Sequence, residues 1–107
     1  MSKMGKIYRK IILNILRKLK KASAYDVAKE RWENPSKDDV LVQEILQKIG
    51  KTRTTQTRIK QIFRMPYQVY AMTVFYMKML EQEGKVKYVG EKDSAAPLKK
   101  KIYQIIE

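Results

Sequence analysis

The stretch from Pro66 to Ile105 constrains the fold of this chain most. Between Tyr67 and Glu83 nearly every position is apolar or aromatic, with Val69, Tyr70, Met72, Val74, Phe75, Tyr76, Met77, Met79 and Leu80 among them. That density predicts a helix buried on more than one side. Pro66 suits its first turn, where a missing N–H costs nothing, and Gly84 closes it. Beyond Gly84, Lys85, Lys87 and Val89 alternate with Val86, Tyr88 and Gly90, the period-two pattern of a strand. EKDSAAP then makes a polar turn, and Leu98, Lys100, Ile102 and Gln104 alternate with Lys99, Lys101, Tyr103 and Ile105 on a return strand. Val86, Tyr88, Ile102 and Ile105 are expected to face the helices. A helix fed straight into a hairpin leaves few topologies open.

The residues before it read as helices. Ile7, Ile11, Ile12, Ile15, Leu16 and Leu19 recur at three-and-four spacing, widened by Tyr8, while Arg9, Lys10, Arg17, Lys18, Lys20 and Lys21 fall mostly on the other face. This first helix, over 6–21, is either an amphipathic core helix or a basic helix lying on anionic lipid. Ser23 with Asp26 is a capping-box pattern that opens AYDVAKERW, with Tyr25, Val27, Ala28 and Trp32 as its buried side. Asn34-Pro35 ends that helix, because the residue before Pro avoids the helical region. Ser36 with Asp39 repeats the start signal for a stripe of Val40, Leu41, Ile45, Leu46 and Ile49, which Gly50 stops.

Charge narrows the partners. The 107 residues carry 24 Lys and Arg against 11 Asp and Glu, for a formal net charge of +13. A polyanion is implied, nucleic acid first and an anionic membrane surface second. The excess is uneven, since Lys51–Arg64, KTRTTQTRIKQIFR, has five basic residues and no acid. Its Thr, Gln and Arg side chains are groups that contact phosphates and base edges, although an exposed loop and helix start would look the same. With neither Cys nor His, the chain has no disulfide, no thiolate and not the commonest general base, so neither metal nor cofactor is expected. Asp26, Glu30 and Glu33 read as a solvated helix face rather than a catalytic pair, and no enzyme is expected. No apolar run approaches the ~18 residues that cross a bilayer, and no signal-peptide core is present. A cytoplasmic, nucleoid-associated protein is expected, or one of the host cytoplasm if the source is viral.

These features combine as a mainly α domain with a C-terminal β-hairpin, a winged helix-turn-helix over 1–107, with 34–65 an inserted helical segment, 66–83 the recognition helix and 85–105 the wing. IILNILRKLKKASAYDVAKERWE resembles the opening of PadR-type transcriptional regulators, an aliphatic helix leading to Ser23-Ala24-Tyr25-Asp26-Val27-Ala28. Val74, Met77, Leu80, Glu81 and Gly84 resemble that family's helix end, and Pro97, Lys99–Lys101 and Tyr103 its basic second wing strand. In size and in Lys, Ile and Tyr richness the chain is also similar to small winged-helix proteins of archaeal viruses and plasmids. Two departures stand out: the inserted segment 34–65, and a chain that stops after the wing, where PadR proteins carry dimerisation helices. Either the insertion adds helices or 52–64 supplies the second helix of the helix-turn-helix.

The resemblance and the charge together imply double-stranded DNA as partner, in a transcriptional regulator or a DNA-organising protein. The apolar faces of the first helix and of the long helix, more than one small domain easily covers, suggest a homodimer built on residues 6–21. The candidate contacts are Arg53, Thr55, Gln56, Arg58, Lys60, Arg64, Tyr67 and Gln68 around the start of the long helix, and Lys92, Lys99 and Lys100 on the wing. A protein-binding winged helix is the main rival, and an anionic-membrane binder through 6–21 the third reading.

Overall fold

The computed structural model describes residues 3–50, 65–93 and 99–106. Among them the protein is mainly helical, with a small three-stranded antiparallel sheet. The elements run α1 (Lys3–Leu19), β1 (Lys21–Ser23), α2 (Ala24–Glu33), α3 (Val40–Gly50), α4 (Tyr67–Gln82), β2 (Val86–Asp93) and β3 (Lys99–Ile105).

α1 forms because Tyr8, Ile12 and Leu16 stack one turn apart on a single face, which the core buries almost completely. It stops at Lys20, whose φ of 69° is left-handed, with the Lys20 N–H donating back to the Leu16 carbonyl over 2.7 Å. That turn swings the chain into β1, a strand that the unbroken basic run Lys20–Lys21 does not announce. Ser23 ends β1 and caps α2: its hydroxyl accepts from the Asp26 N–H at 3.1 Å, while its own N–H donates to the Asp26 carboxylate at 3.2 Å. The capping box predicted from Ser23 and Asp26 is therefore present. Asn34 closes α2 ahead of Pro35, as expected.

The start of α3 differs from expectation. Asp39, not Ser36, is the residue before its first turn, and it is fully buried. Ser36 instead shapes the connecting loop, accepting from the Asp38 N–H on its hydroxyl and from the Asp39 N–H on its carbonyl. Pro66 likewise sits one position before α4, with an extended ψ of 143°.

At the far end of α4 the Gly84 N–H donates to the Glu81 carbonyl and the Lys85 N–H to the Leu80 carbonyl. This paired closure is the Schellman motif, and Gly84 supplies its left-handed residue at φ 76°. The hairpin begins two residues later. β3 lies between β1 and β2. Val86 faces Ile105 and Tyr88 faces Tyr103, then one residue of β2 bulges, so that Gly90, at φ 143°, faces Ile102.

Two apolar clusters share α4. One gathers Tyr8, Ile12 and Leu16 with Val27, Tyr76, Met77, Leu80, Val86 and Tyr103; the other gathers Ala28, Trp32, Val42, Leu46 and Val69. Three burial expectations are corrected. Tyr25 is exposed, because α2 turns Val27, Ala28 and Trp32 inward instead. Tyr88 is exposed while its partner Tyr103 is buried, and Ile102 and Ile105 are each half-buried, since residues three apart on a strand cannot share a face. Arg9, expected among the solvated side chains of α1, is 4% exposed: its guanidinium pairs with Glu83 at 3.1 Å, lies over the Tyr76 ring and donates to the Met79 sulfur.

Candidate nucleic-acid interface

The start of α4 is an open helix end. Pro66 offers no side chain to cap it, and no acid lies in its first turn. The leading N–H groups therefore carry the positive end of the helix dipole with no carboxylate to answer it. Tyr67, 79% exposed, and Gln68, also exposed, stand there. The Tyr67 ring lies 6.5 Å from that of Tyr70, which lies 6.4 Å from that of Tyr25 on α2. Three tyrosines thus run across the α2–α4 seam beside the helix start. Phenol hydroxyls, an amide side chain and backbone N–H groups together can donate to phosphate oxygens and read base edges.

A buried polar bridge fixes this end of α4 to the rest. Arg31, on the apolar face of α2 one turn after Val27, donates from Nε and Nη2 to the two oxygens of Asp39 at 2.7 and 2.8 Å, and from Nη1 to Thr73 Oγ1 at 2.9 Å. The Thr73 hydroxyl donates in turn to the Val69 carbonyl at 2.7 Å, inside α4. The Arg31 guanidinium also lies over the ring of Tyr8, whose hydroxyl accepts from the Leu41 N–H at 3.2 Å. Burial, and secondarily the Asp39 charge, push the Tyr8 hydroxyl above its ordinary 10.0, while the Leu41 hydrogen bond pulls the other way. Four segments meet at one guanidinium.

The hairpin supplies the other half of the candidate surface. β1 pairs with Ile102–Gln104, so from Glu91 and Lys101 outward the hairpin is, among the described residues, a two-stranded arm. Along that arm Lys92 faces Lys100 and Asp93 faces Lys99 in register. All three candidate lysines thus belong to the part that projects beyond the third strand.

Tyr67 and Gln68 are brought to one exposed helix end, and Lys92, Lys99 and Lys100 to the arm; Arg53, Thr55, Gln56, Arg58, Lys60 and Arg64 lie outside the described residues. Tyr25 and Tyr70 were not legible as surface groups, because aromatic residues on an amphipathic helix read as core. Arg31 did carry a signal: a lone cation within the apolar stripe of Val27, Ala28 and Trp32 needs a buried anion. Among residues 6–21, the exposed positions are Lys6, Lys10, Asn14, Arg17 and Lys18 on α1, with Lys20 and Lys21 just after it. Of the apolar stripe on this helix, Tyr8, Ile12 and Leu16 are buried in the chain's own core, while Ile7, Ile11, Ile15 and Leu19 are half-buried.

No group of three or more acidic, His or Cys side chains placed to hold a metal occurs among the described residues, and no described helix is long and apolar enough to cross a membrane. No family model, no curated protein and no solved structure matches the chain.

Proposed function

We propose that this chain is a winged helix-turn-helix domain that binds double-stranded DNA, with α4 as the recognition helix and the β2–β3 arm as the wing. The observation that carries the reading is the joint of these two parts. A helix with an uncapped, exposed N-terminal end runs through one Schellman turn into an arm whose distal half pairs β2 with β3 beyond the reach of β1. On a chain of formal net charge +13, helix end and arm offer a duplex two points of attachment. Tyr67 and Gln68 are the groups proposed to reach base edges; Lys92, Lys99 and Lys100, with Arg53, Thr55, Gln56, Arg58, Lys60 and Arg64, are proposed to meet the backbone or the groove. Binding rather than catalysis is the proposed activity, in a regulator or a DNA-organising protein of the PadR-like kind, acting as a homodimer.

A protein-binding module is the second reading, favoured by Phe75, which is 55% exposed in the middle of α4. Titration of genomic and random duplexes across salt, beside sedimentation with anionic liposomes, tests both. Salt-sensitive duplex binding without lipid binding is expected. Binding to neither would overturn the DNA reading in favour of the protein-binding one.

A further inference from the structure

Away from the start of α4, the solvent side of α1 forms one bank of a long open groove. Its first part, about 510 Å³, is lined by Lys6, Lys10 and Arg17 of α1 and by Lys85 across from them. Its second part, about 660 Å³, shares Arg17 and continues past Lys20 to Lys87 on β2 and the end of β3. Among the described residues lining either part, the one acidic side chain is Glu83, and it pairs with Arg9. Cations therefore line both banks. From Lys6 to Arg17 the groove follows α1 for roughly 16 Å, along which a duplex carries about ten phosphate charges.

This groove is remote from both parts of the interface proposed above. It opens beside Glu83 and Lys85, at the C-terminal end of α4, whereas Tyr67 and Gln68 stand at the N-terminal end of that 16-residue helix, roughly 24 Å away. Lys87 lies at the root of the hairpin and Lys92 five residues out on the arm, a run of roughly 17 Å. The arrangement is a second cationic surface, not an extension of the first.

We propose that the α1–β2 groove is a second phosphate-backbone site, so that one chain holds two duplex segments at once and bridges them. This rests on the DNA-binding reading above. Lysines dominate the groove, so its grip is expected to be indifferent to sequence and steeply dependent on salt.

The test is a bridging assay, in which protein bound to an immobilised duplex must capture a second, labelled duplex. Wild type is compared with the charge-reversal variant Lys6→Glu/Lys10→Glu/Lys87→Glu. All three side chains are exposed, and thermal melting checks that the variant folds. Wild type is expected to capture the second duplex. The variant is expected to bind the first duplex within about threefold of wild type while capture drops at least about tenfold, the size expected for losing several phosphate contacts. Capture that survives in the variant would overturn the proposal, because bridging would then arise elsewhere, for instance in a dimer. If wild type binds one duplex and captures no second, the groove proposal falls and the DNA reading stands. Loss of first-duplex binding in the variant would make the groove the primary site and overturn its role as a second one. Groove-dependent sedimentation with anionic vesicles, without capture, would reassign it to lipid. If wild type binds no duplex at all, the DNA reading itself fails and the bridge with it.

Discussion

Arg31 and Asp39 form a two-pronged ion pair with both side chains completely removed from solvent, at 2.7 and 2.8 Å. The pair sits where α2, the approach to α3, α4 and Tyr8 of α1 come together. Ions taken that far from water are costly unless each keeps its partner.

Asp39→Ala should therefore destabilise the fold by about 3–5 kcal/mol, because it strands a buried guanidinium. Replacing both residues with apolar ones, Arg31→Met with Asp39→Leu, should cost less than the single change. Urea unfolding of the three proteins checks this. A single-variant loss under about 1 kcal/mol would mean that water reaches Arg31.

Lys20 is a non-glycine residue at a left-handed helix stop. Such a position costs an L-residue roughly 1–2 kcal/mol, part of which Gly gives back through its greater freedom when unfolded. Lys20→Gly is expected to raise stability by about 0.5–1 kcal/mol, read as a higher urea midpoint with an unchanged slope. A lower midpoint would show that the turn tolerates Lys without strain.

Lys18 and Glu30 tie α1 to α2 at the surface, with the ammonium 2.6 Å from the carboxylate. The hydrogen bond from Lys18 holds the Glu30 carboxyl below its ordinary 4.5, against a smaller opposing effect of burial. A carboxyl whose pKa is lowered by folding stabilises the folded state above its unfolded pKa. It loses that contribution as pH falls through the folded value. A double-mutant cycle with Lys18→Ala and Glu30→Ala should give a coupling of at most about 1 kcal/mol at pH 7, vanishing in strong acid. Coupling that is the same at both pH values would contradict the ion pair.

At the proposed interface, Gln68→Ala should cost about 1–3 kcal/mol on a preferred duplex and much less on random DNA. Lys92→Ala/Lys99→Ala/Lys100→Ala should instead weaken all duplexes alike and flatten the log K against log salt slope by about 2–3 units. Filter binding at four salt concentrations separates the two behaviours. Equal losses on both duplexes for Gln68→Ala would mean that the helix end grips without reading.

Much of the architecture is legible because local chemistry decides it. Ser23 with Asp26 fixes the start of α2 and Gly84 the α4 stop through hydrogen bonds within a few residues, and Pro35 ends α2 by the clash it imposes on Asn34. What the sequence conceals depends on distant partners. β1 exists because Ala22 finds Tyr103 across the sheet, not because Lys21–Ser23 favours a strand. Arg9 looks like its solvated neighbours until Glu83 and Tyr76 arrive from the far end of α4. Tyr25 and Tyr88 carry the chemistry of core residues, and only the neighbours they meet decide that they stay outside. At the interface, Tyr67 and Gln68 could be singled out as polar groups opening an apolar helix, while the Tyr25–Tyr70–Tyr67 run depends on how α2 crosses α4.

The closure at Gly84 has a mechanical corollary. With the Leu80 carbonyl bonded to the Lys85 N–H, and the Lys85 carbonyl accepting from the Ile106 N–H, helix and hairpin are clamped at the same residue from both sides. A swing of one against the other would have to break one of these two bonds. A surface gripping both meets their angle as these bonds set it, and keeping them intact leaves the adjustment to the guest.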